Sequence, residues 1–508
     1  MVNNFALIAP EFLITGLAFL ILSIDFFIRS DRQHLLAYIA CSGLIGILIL
    51  SLLALWNVED NLYNGLLVID DYSLFFKSFF LIFGVFIILS SIEYVKRHLE
   101  HPGEYYGIIV FTILAMMLMA MSGELLTAYI ALELLSFGLY VLVNFDRYNP
   151  KSNEAGTKYI LLGALSSALL LYGISQIFGL LGTTRFNEIH YILSTTNELS
   201  PGVLVGLIFI ISGLGFKVAA VPFHMWAPDT YEGAPTPITA YLAVGSKAAA
   251  FALILRFFTE ALMPAVNDWQ PIIIIIATLT MILGNLMALV QKNIKRLLAY
   301  SSIGHVGYLL LGLASMASIN SEGVVSLDKS HLASNAIMLH LVAYGITNLA
   351  AFLSITTIYN SIGKEEIQDF AGMSKRAPLL SMVFAASLFS LAGLPIFAGF
   401  TSKFYLFTAA SAQGLLWLAG VAIFASLVSM YYYLTVIRQL YIEASPDETP
   451  IYVSKLNVAL LGTLLFGIVC LGIYPSPLIN ILQHASDAIL TLNSASQLTL
   501  STDYAALR

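Results

Sequence analysis

The chain has 508 residues, of which 59% are hydrophobic and only 10% charged, and its mean hydropathy is +0.86. A soluble chain of this size needs about 25% charged residues to cover its surface, so the composition excludes a soluble enzyme and indicates a polytopic membrane protein. The formal net charge of −7 occurs in no long block and offers nucleic acid no basic surface, while Cys41 and Cys470 lie far apart in apolar runs with no spacing for a metal or iron–sulfur cluster.

A helix rises about 1.5 Å per residue and the hydrocarbon core is about 30 Å thick, so each crossing takes about 20 apolar residues. Fourteen such spans follow one another, centred near Ala18, Ile45, Phe83, Ile113, Leu134, Leu169, Ser212, Ala249, Thr280, Leu310, Tyr344, Leu394, Ala425 and Phe466. The first runs through Pro10 and Glu11 without a basic segment before it, and it is expected to be retained as a helix and not cleaved as a signal.

Several spans carry interruptions. The seventh has Pro222 just after Lys217, the eighth has Gly245 just before Lys247, and the twelfth holds Gly393, Pro395 and Gly399 before Lys403. Proline and glycine free backbone groups that lipid cannot satisfy, so such breaks belong inside protein or beside a wet cavity. Matching breaks in spans seven and twelve suggest a transporter of two inverted five-helix repeats, spans four to eight and nine to thirteen. The expected divisions are an N-terminal three-helix segment at 1–100, repeats at 101–265 and 266–442, and a C-terminal helix and tail at 443–508.

Loop charge gives an orientation. Loops after odd-numbered spans hold Arg29, Arg32, Lys96, Arg97, Arg147, Lys151, Lys292, Lys295, Arg296, Lys364, Lys375, Arg376, Arg438 and Lys455, against Arg185, Lys329 and Arg508 on the other side. The positive-inside rule then puts both termini outside. The segment PFHMWAPDTYEGAPTP, from Pro222 to Pro237, is the exception on the basic side, with Asp229 and Glu232 and no basic residue. Its prolines alone explain a rigid turn.

The remaining charges lie inside spans. A charge at the bilayer centre costs about 2.5–3.5 kcal/mol on insertion scales, so repeated ones are retained for use. Glu133, Lys217, Lys247 and Lys403 are the candidate proton-carrying series, because a buried lysine gives up its proton more readily than an exposed one. The plainer alternative for Glu133 and Lys217 is a static ion pair. Lys77 and Arg256 lie near span ends and read as snorkelling anchors, and Lys158 stands between anchor and pathway. His224, His305 and His340 read singly as core histidines, and beside a lysine row as candidate relays.

Three stretches carry a resemblance: FKVAAVPFHMWAPDTYEGAPTPITAYLAVGSKAAAF, QKNIKRLLAYSSIGHVGYLLLG and SLAGLPIFAGFTSKFYLF. Together they resemble the antiporter-like membrane subunits of respiratory complex I, the proton-pumping NADH:quinone oxidoreductase. The resemblance implies that Glu133 and Lys217 form the family's charge pair, that Lys247 is the central lysine of the eighth helix, and that Lys403 lies near the exit. It further implies that His224 and His305 belong to a polar axis, with Lys158 a further member. LPIFAGF stands where many relatives have LPPTAGF, which alters the local break and leaves the charge unchanged.

Further implications concern the assembly. The chain itself would bind no cofactor, and NADH, FMN, iron–sulfur clusters and quinone would belong to the complex. Its partners would be other membrane subunits of complex I, a neighbouring antiporter-like subunit and small hydrophobic subunits among them, within a bacterial inner membrane. The competing readings are a subunit of a multi-subunit cation/proton antiporter and a non-transporting assembly scaffold.

Overall fold

The computed structural model describes residues 5–29, 32–196, 199–316, 327–445 and 449–505. The chain is almost entirely helical. In order come α1 (Ala9–Asp25), α2 (Leu35–Leu55), α3 (Asp71–His98), α4 (Pro102–Ala120), α5 (Leu125–Val143), α6 (Pro150–Leu181), α7 (Phe186–Thr195), α8 (Pro201–Val218), α9 (Trp226–Gly233) and α10 (Thr236–Tyr241). They are followed by α11 (Lys247–Glu260), α12 (Val266–Ala288), α13 (Ile294–Ala314), α14 (Leu327–Ile362), α15 (Met373–Arg376), α16 (Pro378–Ala392), α17 (Ala398–Ala412), α18 (Leu416–Tyr441), α19 (Lys455–Ile473) and α20 (Ser476–Ala505).

Among the described residues, 13 helical segments are long and apolar enough to cross a membrane, and α16 is a shorter apolar helix. With α17 it brackets Leu394, where the twelfth span was expected. Three details depart from the expected pattern. A two-stranded antiparallel hairpin, β1 (Asp60–Leu62) and β2 (Leu67–Ile69), sits between α2 and α3. The proline-rich segment for which a rigid turn sufficed contains the short helix α9, and the expected tail is helical as far as Ala505.

Side-chain caps begin several helices. Asp70 accepts from Ser73 N at 2.7 Å and opens α3, and Asn293 accepts from Lys295 N and Arg296 N at 2.9 and 3.1 Å and opens α13. The breaks fall where proline and glycine had marked them. Ala219 ends α8 in the left-handed region at φ 62°, and a π turn over Leu242–Ser246 separates α10 from α11. Gly393 at φ 86° and Ile396 at φ 81° separate α16 from α17.

The two classes of loop meet on opposite faces. On the basic face, Arg97 donates to Asn360 O at 2.6 Å, Asn293 pairs with Glu366, and Arg376 donates to Thr449 O at 2.9 Å. On the other face, Leu67 pairs with Ser122 and Glu124 with Arg185. The alternation of spans read from the sequence therefore holds.

Burial separates core from perimeter. The most apolar windows of Thr236–Glu260 and Ile294–Ala314 are 100% buried and that of Lys329–Ile362 is 89% buried, whereas the window of α19 is 28% buried. The three enclosed segments carry Lys247, His305 and His340. A charged side chain there meets protein instead of lipid, which is the arrangement that makes intramembrane charge tolerable.

Candidate functional site: a row of buried cations

The row begins where α5, α6 and α8 meet. Lys217 Nζ lies 3.3 Å from Glu133 Oε1 and also bonds Ser136 Oγ at 2.8 Å and Ser167 Oγ at 3.3 Å. Ser167 in turn donates to Glu133 at 2.6 Å. Lys217 occupies the last turn of α8, where the partial negative charge of the helix end favours a cation. Glu133 and Lys217 thus form the expected pair, with two serines that the sequence had not singled out.

Lys247 lies at the start of α11, directly after the π turn. Its Nζ bonds Ser302 Oγ at 2.6 Å and lies 5.6 Å from the centre of the Tyr231 ring. Tyr231 OH is 3.5 Å from the same serine. Farther along α13, His305 Nδ1 faces His340 Nε2 at 3.1 Å, and His340 Nδ1 faces Ser402 Oγ at 3.0 Å. Two neutral imidazoles in that geometry share one hydrogen between the facing nitrogens.

Lys403 ends the row. It donates to Leu391 O at 2.8 Å, Ala392 O at 3.3 Å and Ser426 Oγ at 2.9 Å, and lies 4.9 Å from the Tyr308 ring centre. The carbonyls come from the last turn of α16, left without intrahelical partners by the break at Gly393. The interruption therefore builds the site for the ammonium. Among the described residues, neither Lys247 nor Lys403 has an ion-pair partner, although both are buried.

Aromatic side chains fill the space between the two parts. Trp226 Nε1 donates to Phe216 O at 2.8 Å, its ring centre is 6.4 Å from that of Tyr231, and Phe216 lies beside Lys217 at 5.9 Å. Helix α9 thereby touches both the Lys217 and the Lys247 sites. The serines and aromatic residues gave only a weak signal in the sequence, because Ser and Tyr are common in spans and their partners lie on other helices.

Other candidates separate from the row. Lys158 has a side chain 43% exposed and is paired with Glu154 at 2.7 Å and Asp229 at 2.8 Å on the basic face. Asp229 also meets Arg296 at 2.6 Å. Burial opposes ionisation of Asp229, and hydrogen bonds and charge from Lys158 and Arg296 outweigh it, holding the carboxyl below its ordinary value. His224 is partly buried in the break after α8 and joins neither histidine of the row.

Lys77 and Arg256 do not snorkel. Lys77 is 0% exposed and pairs with Glu11 at 2.8 Å, while Arg256, also 0% exposed, holds Asp70 through two bonds of 2.8 and 2.9 Å and Glu260 at 2.6 Å. Both are closed structural pairs instead of lipid anchors, because the capped start of α3 brings its acid to Arg256 and α1 brings Glu11 to Lys77. No group of three or more His, Cys, Asp or Glu among the described residues could hold a metal ion.

The comparisons agree with this architecture. A family model described as NADH:quinone oxidoreductase/Mrp antiporter, TM, matches residues 122–429. The NADH-quinone oxidoreductase subunit N of Heliobacterium modesticaldum is 40% identical over 489 residues, 96% of this chain and 100% of that protein. The subunit N of Moorella thermoacetica is 42% identical over 95% of this chain and 98% of that protein. A chain in the structure of respiratory complex I from Thermus thermophilus with bound aureothin superposes with a TM-score of 0.77 at 28% identity, covering 94% of this chain and 99% of that one. The chain thus belongs to the NADH:quinone oxidoreductase/Mrp antiporter membrane family, on the branch of NADH-quinone oxidoreductase subunit N.

Proposed function

We propose that the chain conducts protons across the membrane arm of an NADH:quinone oxidoreductase, driven by electron transfer in other subunits. The observation that carries this reading is the row Glu133–Lys217, Lys247–Ser302, His305–His340–Ser402 and Lys403–Ser426. Every member can hold or pass a proton, and its central helices are sealed from lipid.

The mechanism follows from the difference between the paired and unpaired lysines. While Glu133 is close, its carboxylate stabilises the ammonium form of Lys217. Drawing the two apart removes that partner, and the proton moves on towards Lys247, across Tyr231 and Ser302. A charge arriving at Lys247 repels one at Lys403, with the histidine pair between them as the relay. The outward step then leaves from Lys403 beside the α16–α17 break. The scheme requires protonation of the row from the basic face and release on the opposite one, with both termini on the outer side of a bacterial inner membrane.

In this reading NADH, FMN, iron–sulfur clusters and quinone are held by partner subunits, and the chain acts as part of a translocase. A neighbouring antiporter-like subunit and small hydrophobic subunits would cover part of its apolar perimeter. The test is Lys217→Ala in the assembled complex. NADH-driven proton pumping should fall while assembly persists, and unchanged pumping would remove the proposal. Co-purification of cluster-bearing subunits would separate this reading from a free-standing cation/proton antiporter.

A further inference from the structure

The basic face holds a polar cavity of about 570 Å³, lined among others by Asp146, Glu232, Lys292, Lys295, Glu365 and Glu366. Lys295 is its most enclosed charge: the side chain is 4% exposed, pairs with Glu365 at 2.7 Å and donates to Ala234 O at 3.0 Å. The backbone around it is clasped, with Ile294 N bonded to Glu365 O at 3.0 Å and Ile367 N to Lys292 O at 2.9 Å. The pair is thus held at a defined place between the cavity and the bundle interior.

Helix geometry shows what lies beneath. Lys295 and Ser302 are two turns apart on one face of α13, about 10 Å along the axis, and Ser302 bonds Lys247 at 2.6 Å. Between them on that face lie Leu298 and Ala299, both buried, and Ser302 Oγ also donates to Ala299 O at 2.8 Å. On the facing elements, Thr230 and Thr236 flank Ala234, and among the described residues both buried hydroxyls have no hydrogen-bond partner. Buried hydroxyls in that condition are suited to binding water.

We propose that the Lys295–Glu365 pair is the proton-entry relay that supplies Lys247 from the polar cavity. The proposal rests on the proton-conducting reading above and extends it to the inlet. Glu365 takes a proton from water in the cavity and passes it to Lys295 as Lys295 releases its own inward. That proton reaches the neutral amine of Lys247 by way of the Ser302 hydroxyl, which gives up its hydrogen as it receives another. Atoms and charge balance: one proton leaves the cavity water and one arrives on Lys247, with both relay groups restored. Contact with Ala234 O keeps Lys295 at the floor between transfers.

The experiment uses the assembled complex in proteoliposomes and compares proton uptake per NADH oxidised. Glu365→Gln should pump well below the parent, leaving only what Lys217 passes to Lys247, with quinone reduction persisting. The exchanged double variant Lys295→Glu with Glu365→Lys restores an ion pair but reverses the relay order, so it should assemble and pump no better than Glu365→Gln. Restored pumping in the double variant, or full pumping in Glu365→Gln alongside a loss in Lys217→Ala, would overturn the inlet while leaving the broader reading standing. Full pumping in Lys217→Ala would instead overturn the broader reading and this extension with it. A second measurement tests the path without proton transport or reliance on Glu365. In a Cys41→Ser, Cys470→Ser background, Lys247→Cys should react faster with a small water-soluble thiol reagent added at the basic face once Lys295→Ala opens the floor. An unchanged labelling rate would overturn the proposed route.

Discussion

Lys247 and Arg256 occupy the two ends of α11 and are equally buried, yet only Arg256 is surrounded by acids. Asp70 and Glu260 close around the guanidinium, which donates from Nη2 to both carboxylate oxygens of Asp70 and from Nη1 to Glu260. Lys247 has a serine and an aromatic ring. The contrast distinguishes two uses of buried charge. Arginine keeps its proton under all ordinary conditions, so a balanced arginine cluster fixes structure. A lysine without a counter-ion can exist as a neutral amine, so its charge can come and go with a proton.

Breaking the paired end should have the largest effect. Asp70→Ala removes the acceptor of Arg256 Nη2 and the cap of α3 while Glu260 stays in place; a lost cap costs about 0.5–2 kcal/mol, and a buried group left unsatisfied about 1–3 kcal/mol. The expected result is loss of the chain from the assembled complex, read by native electrophoresis and by thermal unfolding in detergent. The unpaired end should respond differently. Lys247→Met leaves no counter-ion stranded among the described residues, so assembly should match or exceed the parent. Proton transfer should nevertheless slow by about 10²–10⁴, the usual contribution of a positioned acid–base group.

A smaller effect is expected at the basic face, where Asp229 joins Lys158 and Arg296. Its carboxyl is held below the ordinary value, so the contribution to stability is present at neutral pH and is lost as pH falls through the depressed value. Because these groups are partly exposed, the gain is only about 0–1 kcal/mol. Asp229→Asn should flatten the acid side of the complex's stability profile while changing stability at neutral pH only slightly. A profile unchanged by the substitution would remove Asp229 from the account.

The comparison also explains what the sequence could and could not reveal. Spans are read from runs of apolar residues and breaks from local proline and glycine, so the α8 end, the π turn before Lys247 and the α16–α17 gap were legible. The lysines stood out because a charge within an apolar run needs no partner to be noticed. Lys77 and Arg256 read as snorkelling anchors because Glu11 and Asp70 are distant in sequence and span position alone makes a paired cation look like a snorkelling one, although Glu260, four residues on along α11, was a visible partner for Arg256. Tyr231, Ser302 and Ser426 were silent for the same reason, since their importance comes from the atom they face. The hairpin and α9 are too short to give a clear periodicity within polar loops.

Lys403→Arg tests the central claim most directly, because arginine preserves charge and much of the volume while it cannot release a proton. Proton uptake per NADH oxidised should be measured in proteoliposomes holding the intact complex. The expected result is an assembled complex that still reduces quinone but pumps fewer protons per NADH than the parent. An unchanged proton count would show that Lys403 contributes charge alone, and would contradict a pathway that runs through the unpaired lysines.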